Sequence, residues 1–243
     1  MDANNIESVY FIGAGGIGMS ALVRYFLSKG KKVAGYDRTP SELTEKLIEE
    51  GANIHYDDNV ELIPSDFCNP QTTLVVYTPA IPDTHSELSY FRKNGYSIQK
   101  RAQVLGMLTQ TEKGLCVAGT HGKTTTSTMT AHLLHQSTIG CNAFLGGISK
   151  NYNTNLLLSA DSEYVVIEAD EFDRSFHWLS PFASVITATD ADHLDIYGTF
   201  EAVVEAFGQF AALIKQGGHL ILKQGVNIPL PEGISIWRYS YDE

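Results

Sequence analysis

Twice along this chain a short apolar run breaks into a glycine-rich loop and resumes at helical spacing. No other feature restricts the fold as much. The first instance is Ser8–Ile12 (SVYFI), then Gly13-Ala14-Gly15-Gly16-Ile17-Gly18, then a helical pattern from about Ile17 to Ser28. The second is Gly114–Ala118 (GLCVA), then Gly119-Thr120-His121-Gly122-Lys123-Thr124-Thr125-Thr126, then a helix over Lys123–His135. Strand, glycine turn and helix in that order build βαβ units on a parallel sheet. The expected class is α/β: a Rossmann-like parallel-sheet domain followed by a P-loop-type α/β domain.

The remaining pattern extends both series. Lys32–Tyr36 reads as a second strand ending at Asp37, and Ser41 caps a helix with Thr44 and Glu45 in its first turn. Thr73–Tyr77 is a further strand; its exit, Thr78-Pro79-Ala80-Ile81-Pro82, cannot continue a ladder because proline lacks a donor. A helix over Ser86–Lys93, a short strand near Ile98 and a helix from Arg101 to about Thr111 complete the first unit. In the second, Tyr164–Ala169, Ala183–Ala188 and His219–Leu222 read as strands, Phe200–Lys215 as a helix and Ile234–Trp237 as a candidate strand. The boundary is expected near Glu112, giving domains 1–112 and 113–243, the second without a clear closing element.

Composition narrows the ligand. Lys plus Arg total 17 against 28 Asp plus Glu, a formal charge of −11, so an extended nucleic-acid interface is disfavoured. One lysine and a few backbone amides still suffice for a nucleotide. No apolar run approaches the roughly 20 residues of a membrane helix, and the opening MDANNIESVYFIG lacks a secretory leader's basic start and cleavage site. Three separated cysteines, Cys68, Cys116 and Cys141, read as reduced thiols. A soluble cytoplasmic protein is expected.

In the second glycine loop the glycines let backbone N–H groups turn inward, and the following helix N-terminus adds partial positive charge where a polyphosphate would sit. Lys123 supplies a point charge for β- and γ-phosphates, and the Thr124 hydroxyl is a Mg²⁺ ligand. The spacing departs from G-x-x-x-x-G-K-[ST], because Val117 occupies the first glycine position.

Glu168-Ala169-Asp170-Glu171-Phe172-Asp173 crowds four carboxylates at the end of an apolar strand, where open α/β sheets place ligands. Like charges at that density call for a cation, and Mg²⁺ takes carboxylate and phosphate oxygens; a solvated acidic loop is the bland alternative. Asp190-Ala191-Asp192-His193-Leu194-Asp195 ends the next strand, with His193 a second metal ligand, a phosphate-orienting group or a structural histidine. Together the three loops read as Mg-ATP chemistry. The first loop fits G-x-G-x-x-G with Asp37 as the acid that follows. It specifies a diphosphate beside a ribose, a fragment common to NAD, FAD and UDP-sugars.

The stretches YFIGAGGIGMSALV, RAQVLGML, AGTHGKTTTSTM, NAFLGGISKNYNTN, VVIEADEFDRSFHWLSP and VITATDADHLDIYGT together resemble the Mur ligases of peptidoglycan synthesis, most nearly the alanine-adding branch. The resemblance runs the length of the chain. It implies that the first loop holds a UDP diphosphate and not a nicotinamide cofactor. It also implies the reaction. ATP phosphorylates the carboxylate of UDP-N-acetylmuramate, the amine of L-alanine attacks the acyl phosphate, and ADP and phosphate leave.

By motif, Gly119, Thr120, His121, Gly122, Lys123, Thr124 and Thr125 would hold ATP, with Lys123 on the γ-phosphate. Thr124 and Glu168 would hold one Mg²⁺ and His193 would support the other, so that Lys123, Glu168 and His193 form the catalytic set. Gly13, Gly15, Gly16, Ile17, Gly18 and Asp37 would hold the UDP part, Arg101 the muramyl group, and Asn155 matches the family's G-x-N stretch.

Two departures qualify the match. Later-acting family members carry a carbamylated lysine shortly beyond the histidine; here the next lysine is Lys215, as the alanine-adding branch would have it. Nothing after Gly225 resembles the family's asparagine-bearing central segment or its third domain. An incomplete central domain is therefore expected, one that retains UDP-sugar binding, binds ATP weakly and turns over little. The muropeptide-recycling ligases are the nearest rival, though they tend to carry a longer insertion in the acidic segment. Folylpolyglutamate synthases lack the first domain. A nicotinamide-dependent oxidoreductase leaves the second loop without a job, and a non-catalytic UDP-sugar- or nucleotide-binding protein is the remaining alternative.

Overall fold

The computed structural model describes residues 5–240, which form two compact units divided between Val104 and Leu105. The first contains β1 (Ser8–Ile12), α1 (Ile17–Ser28), β2 (Lys32–Tyr36), α2 (Glu42–Glu49), β3 (Asn53–His55), β4 (Thr73–Tyr77), α3 (Ser86–Lys93), β5 (Ser97–Lys100) and the start of α4 (Arg101–Thr111). The second contains the rest of α4, then β6 (Lys113–Ala118), α5 (Lys123–Gln136), β7 (Asn142–Ser149), β8 (Thr154–Leu157), β9 (Tyr164–Glu168), β10 (Ala183–Ile186), α6 (Leu194–Tyr197), α7 (Phe200–Ala211), β11 (His219–Lys223) and β12 (Ser235–Tyr239).

The first sheet is wholly parallel in the order β3-β2-β1-β4-β5. Every residue of β1 is buried, which its unbroken apolar run anticipates for a strand covered on both faces. The polar exception, Ser8, meets the Thr73 hydroxyl of β4 at 2.9 Å. One face is filled by Tyr10, Ile12, Val75, Leu88, Phe91 and Tyr96. α2 begins in a capping box, with the Ser41 hydroxyl accepting from Thr44 N–H and the Thr44 hydroxyl accepting from Ser41 N–H. The winding reverses between β1 and β4, so the crevice for a ligand opens at their carboxyl ends.

The second sheet runs β12-β11-β10-β6-β9-β7-β8, parallel except for β8 against β7. The β7–β8 hairpin is an addition to the expected elements, with Gly146 and Gly147 inside β7 and beside its bulge. β3, α6 and the shorter α7 are further differences, α7 stopping at Ala211 instead of Lys215. The division between the two compact units falls within α4. The reason is local: Lys100 N–H bonds the Gln103 side chain at the start of the helix, whereas further on Thr109 accepts from Ser180 N–H. β6 lies between β10 and β9, so the ends of these three strands are neighbours. The cysteines are free, Cys68 exposed and the other two buried. No helix of the described residues is long and apolar enough to cross a membrane.

Candidate functional site

In the first unit the glycine loop is drawn onto the end of β2, with Gly13 N–H and Ala14 N–H both donating to the Tyr36 carbonyl at 2.8 and 3.1 Å. Gly13 has φ +89°, and a Cβ there would lie 2.6 Å from the Thr78 methyl at the end of β4. Both the backbone angle and the close approach therefore require glycine. Asp37 accepts from Gly15 N–H at 2.6 Å through one oxygen and from Thr39 N–H at 3.2 Å through the other. It shapes the loop.

Gly16 is the N-cap of α1 and supplies no side-chain cap; Ile17 behind it is 47% exposed. Arg101 closes the arrangement, its Nη1 only 2.5 Å from where a Gly18 Cβ would sit. A helix N-terminus without a side-chain cap, with a guanidinium over its first turn, is chemically suited to an anion.

Beside this loop lies a buried polar cluster that no local sequence signal announced. The Tyr10 hydroxyl donates to Glu87 Oε2 at 2.9 Å and meets His55 Nε2 at 2.8 Å, and His55 Nε2 is 3.2 Å from Glu87 Oε1. His85 pairs with Asp58 at 3.2 Å, edge-on to the Tyr36 ring. Burial pushes the fully enclosed Glu87 carboxyl up to about 7 and pulls both histidines below their ordinary value.

In the second unit the three expected loops meet at the ends of β6, β9 and β10. Gly119 and Gly122 have φ +136° and +82°, and a Cβ on Gly119 would fall 2.1 Å from the Thr187 hydroxyl. Thr187 donates to the His121 carbonyl, and Thr120 N–H donates to Ala188 at 3.1 Å, which pins the loop to the end of β10. The Thr124 hydroxyl donates to Glu168 Oε1 at 3.0 Å, while Glu168 Oε2 accepts from Gly146 N–H at 3.2 Å. Lys123 Nζ donates to the Gly119 carbonyl at 2.9 Å and to Glu171 Oε1 at 2.8 Å.

His193, at φ +53°, lies with Nε2 3.8 Å from that same Glu171 oxygen and 3.8 Å from Asp192. Thr125 is exposed on the first turn of α5, and His121 faces Asp190 at 3.6 Å. Asn155 is buried on β8, separated from β9 by β7. The fold thus brings Lys123, Thr124, Glu168 and His193 to one crevice and leaves Asn155 on the edge strand. Glu171, to which the sequence assigned no role, is the partner of the loop lysine.

Among the described residues no three His, Cys, Asp or Glu side chains form a protein-only metal cage. The Thr124–Glu168 oxygen pair instead suits an ion that completes its shell with phosphate oxygens and water, as Mg²⁺ does.

Comparison with known proteins agrees with both halves. Residues 8–113 match the Mur ligase family, catalytic domain, and residues 117–229 match the Mur ligase middle domain. The chain is 73% identical over its whole length to a UDP-N-acetylmuramate–L-alanine ligase of Phocaeicola vulgatus and 62% identical to one of Parabacteroides distasonis, covering 54% and 53% of those proteins. It thus spans about half the length of the curated relatives it matches. Among solved structures, UDP-N-acetylmuramate-alanine ligase from Thermotoga maritima superposes with a TM-score of 0.76 at 28% identity, over 90% of this chain and 49% of that one. With both glycine loops, the acidic strand end and the histidine loop in place, the chain belongs to the Mur ligase family.

Proposed function

We propose that this chain carries the UDP-sugar site and the ATP site of an ATP-dependent ligase that joins L-alanine to UDP-N-acetylmuramate in the cytoplasm. The reading rests above all on one observation: Lys123, Thr124 and Glu168 converge at adjacent strand ends, with Thr124 3.0 Å from Glu168. The names of the relatives support the substrate pair, and the arrangement of Gly15, Gly18, Asp37 and Arg101 supports a diphosphate in the first unit.

In the proposed reaction a muramyl carboxylate oxygen bonds to the γ-phosphorus as ADP leaves. The alanine nitrogen then bonds to the acyl carbon, phosphate departs, and the nitrogen loses a proton. Bound Mg²⁺ would neutralise phosphate charge during transfer. Lys123 follows the γ-phosphate and stabilises the charge that develops on it. Thr124 and Glu168 would hold the ion, and the glycine loop supplies backbone donors. Domains 1–112 and 113–243 divide these tasks between sugar nucleotide and ATP.

Calorimetric titration with UDP-N-acetylmuramate, NADH and MgATP tests the reading. Heat with the UDP-sugar and MgATP but none with NADH is expected, with little ADP release from this chain alone. Binding of NADH in place of the UDP-sugar would overturn it.

A further inference from the structure

Of the four acids in the Glu168–Asp173 run, Glu171 is the one the fold encloses, at 1% exposure. Its backbone carbonyl is fixed from two sides, by the Tyr197 hydroxyl and by Arg174 N–H at 3.0 Å. Burial above all pushes the Tyr197 phenol up to about 12, so it remains a donor. The side chain is thereby aimed at the glycine loop. Oε1 takes the Lys123 ammonium at 2.8 Å, while Oε2 is buried without a hydrogen-bond partner. Lys123 is largely enclosed too, its side chain 17% exposed. The cation that the loop offers to a phosphate is already held by an internal anion.

We infer that Glu171 is a built-in stand-in for polyphosphate: it holds Lys123 and must yield it when a polyphosphate enters. This deepens the reading of the Gly119–Thr125 loop as a nucleotide site, and rests on it. When the ammonium turns to phosphate, Glu171 is left as a buried carboxylate with an unpartnered oxygen, facing a second anion. Both changes are unfavourable. The carboxylate therefore lowers the affinity of the site for bare polyphosphate. A divalent cation carried in with the phosphates offsets the repulsion, so Glu171 makes cation-borne nucleotide the preferred ligand over the naked anion. The acid thus acts through Lys123 as a positioning and selecting residue.

The test compares this chain with Glu171→Gln, which keeps shape and removes charge. Dissociation constants are measured for MgATP and for inorganic tripolyphosphate without Mg²⁺. The expected result is tighter binding of both by the variant, about tenfold for MgATP and more for the bare anion, so that the Mg²⁺ preference shrinks. Glu171→Asp, which keeps the charge, is expected to show no such gain.

Equal or weaker binding by Glu171→Gln, with wild-type binding intact, overturns the inference alone. If neither protein binds ATP or tripolyphosphate, the nucleotide reading falls and takes the inference with it. Should Glu171→Gln fail to fold, ¹⁵N spectra of the wild-type lysine ammonium groups decide. One slowly exchanging signal, absent in Lys123→Met, is expected without ligand and should move when tripolyphosphate is added. A Lys123 ammonium that exchanges as fast as solvent-exposed lysines before any ligand is added overturns the inference.

Discussion

Asp37, at the end of β2, accepts a 2.6 Å hydrogen bond from the backbone N–H of Gly15, in the loop that leaves β1. The two neighbouring strand ends are thereby tied together at the mouth of the crevice. Replacing the acid by alanine removes this bond and the one from Thr39, freeing the loop proposed to cradle the diphosphate. Asp37→Ala is expected to weaken UDP-N-acetylmuramate binding by about tenfold or more while costing only about 1 kcal/mol in stability. Calorimetry and a urea melt read the two quantities separately; unchanged affinity would remove Asp37 from the site.

Gly18 and Arg101 make a second test of the same cradle. A methyl group at Gly18 would lie 2.5 Å from Arg101 Nη1, so Gly18→Ala pushes the flexible guanidinium aside without touching the sheet. Alanine is also the better helix former. Melting temperature is expected to hold or rise slightly, while UDP-N-acetylmuramate affinity drops about tenfold. A loss of stability with unchanged affinity would contradict the placement of Arg101.

Glu87 makes the first unit's stability depend on pH in an unusual direction. Its carboxyl is raised from 4.5 to about 7 by burial, so the folded state favours the protonated acid. Stability from this group is complete below pH 4.5 and is lost as pH rises to about 7, a swing of up to about 3 kcal/mol. Burial lowers His55 and His85, whose contributions run oppositely: they are present above their ordinary value and lost on acidification. Glu87→Gln removes only the first effect. Relative to wild type it should gain stability between about pH 4.5 and pH 7 and level off above that in parallel thermal melts. A difference that does not vary with pH would show that Glu87 titrates normally.

The second unit has a backbone contact that admits no side chain. A Cβ on Gly106 in α4 would lie 2.3 Å from the Trp178 carbonyl oxygen, and backbone cannot swing away as a side-chain tip can. Gly106→Ala should cost about 2 kcal/mol despite its better helix propensity. Chemical denaturation followed by Trp fluorescence checks it. A neutral or stabilising outcome would mean that the contact relaxes freely.

Much of this molecule was legible along the chain. β1, α1, β2, β4 and α3 have the bounds that apolar periodicity and capping residues assign them. Both glycine loops, Lys123, Thr124 and the acidic strand end announce themselves because each is a local pattern, in which a few consecutive residues carry the backbone demand and the charge together. β7 was hidden because Gly146 and Gly147 lower its intrinsic strand preference; its pairing with β9 and β8 overrides that. Gly146 is also what lets the Glu168 carboxylate come within 3.2 Å of a backbone N–H.

Tertiary structure alone decided which acid meets which residue of the glycine loop. Glu168 and Glu171 stand in one short run, yet the turn after β9 sends the first to Thr124 and buries the second against Lys123. That choice depends on Tyr197, on a later helix, gripping the Glu171 backbone. The Tyr10–His55–Glu87 cluster likewise joins residues 45 and 77 positions apart. Local sequence determines φ, ψ and amphipathic faces because those energies act between near neighbours. The pairing of buried charges is settled by desolvation and by contacts between distant segments, and these exist only once the sheets have formed.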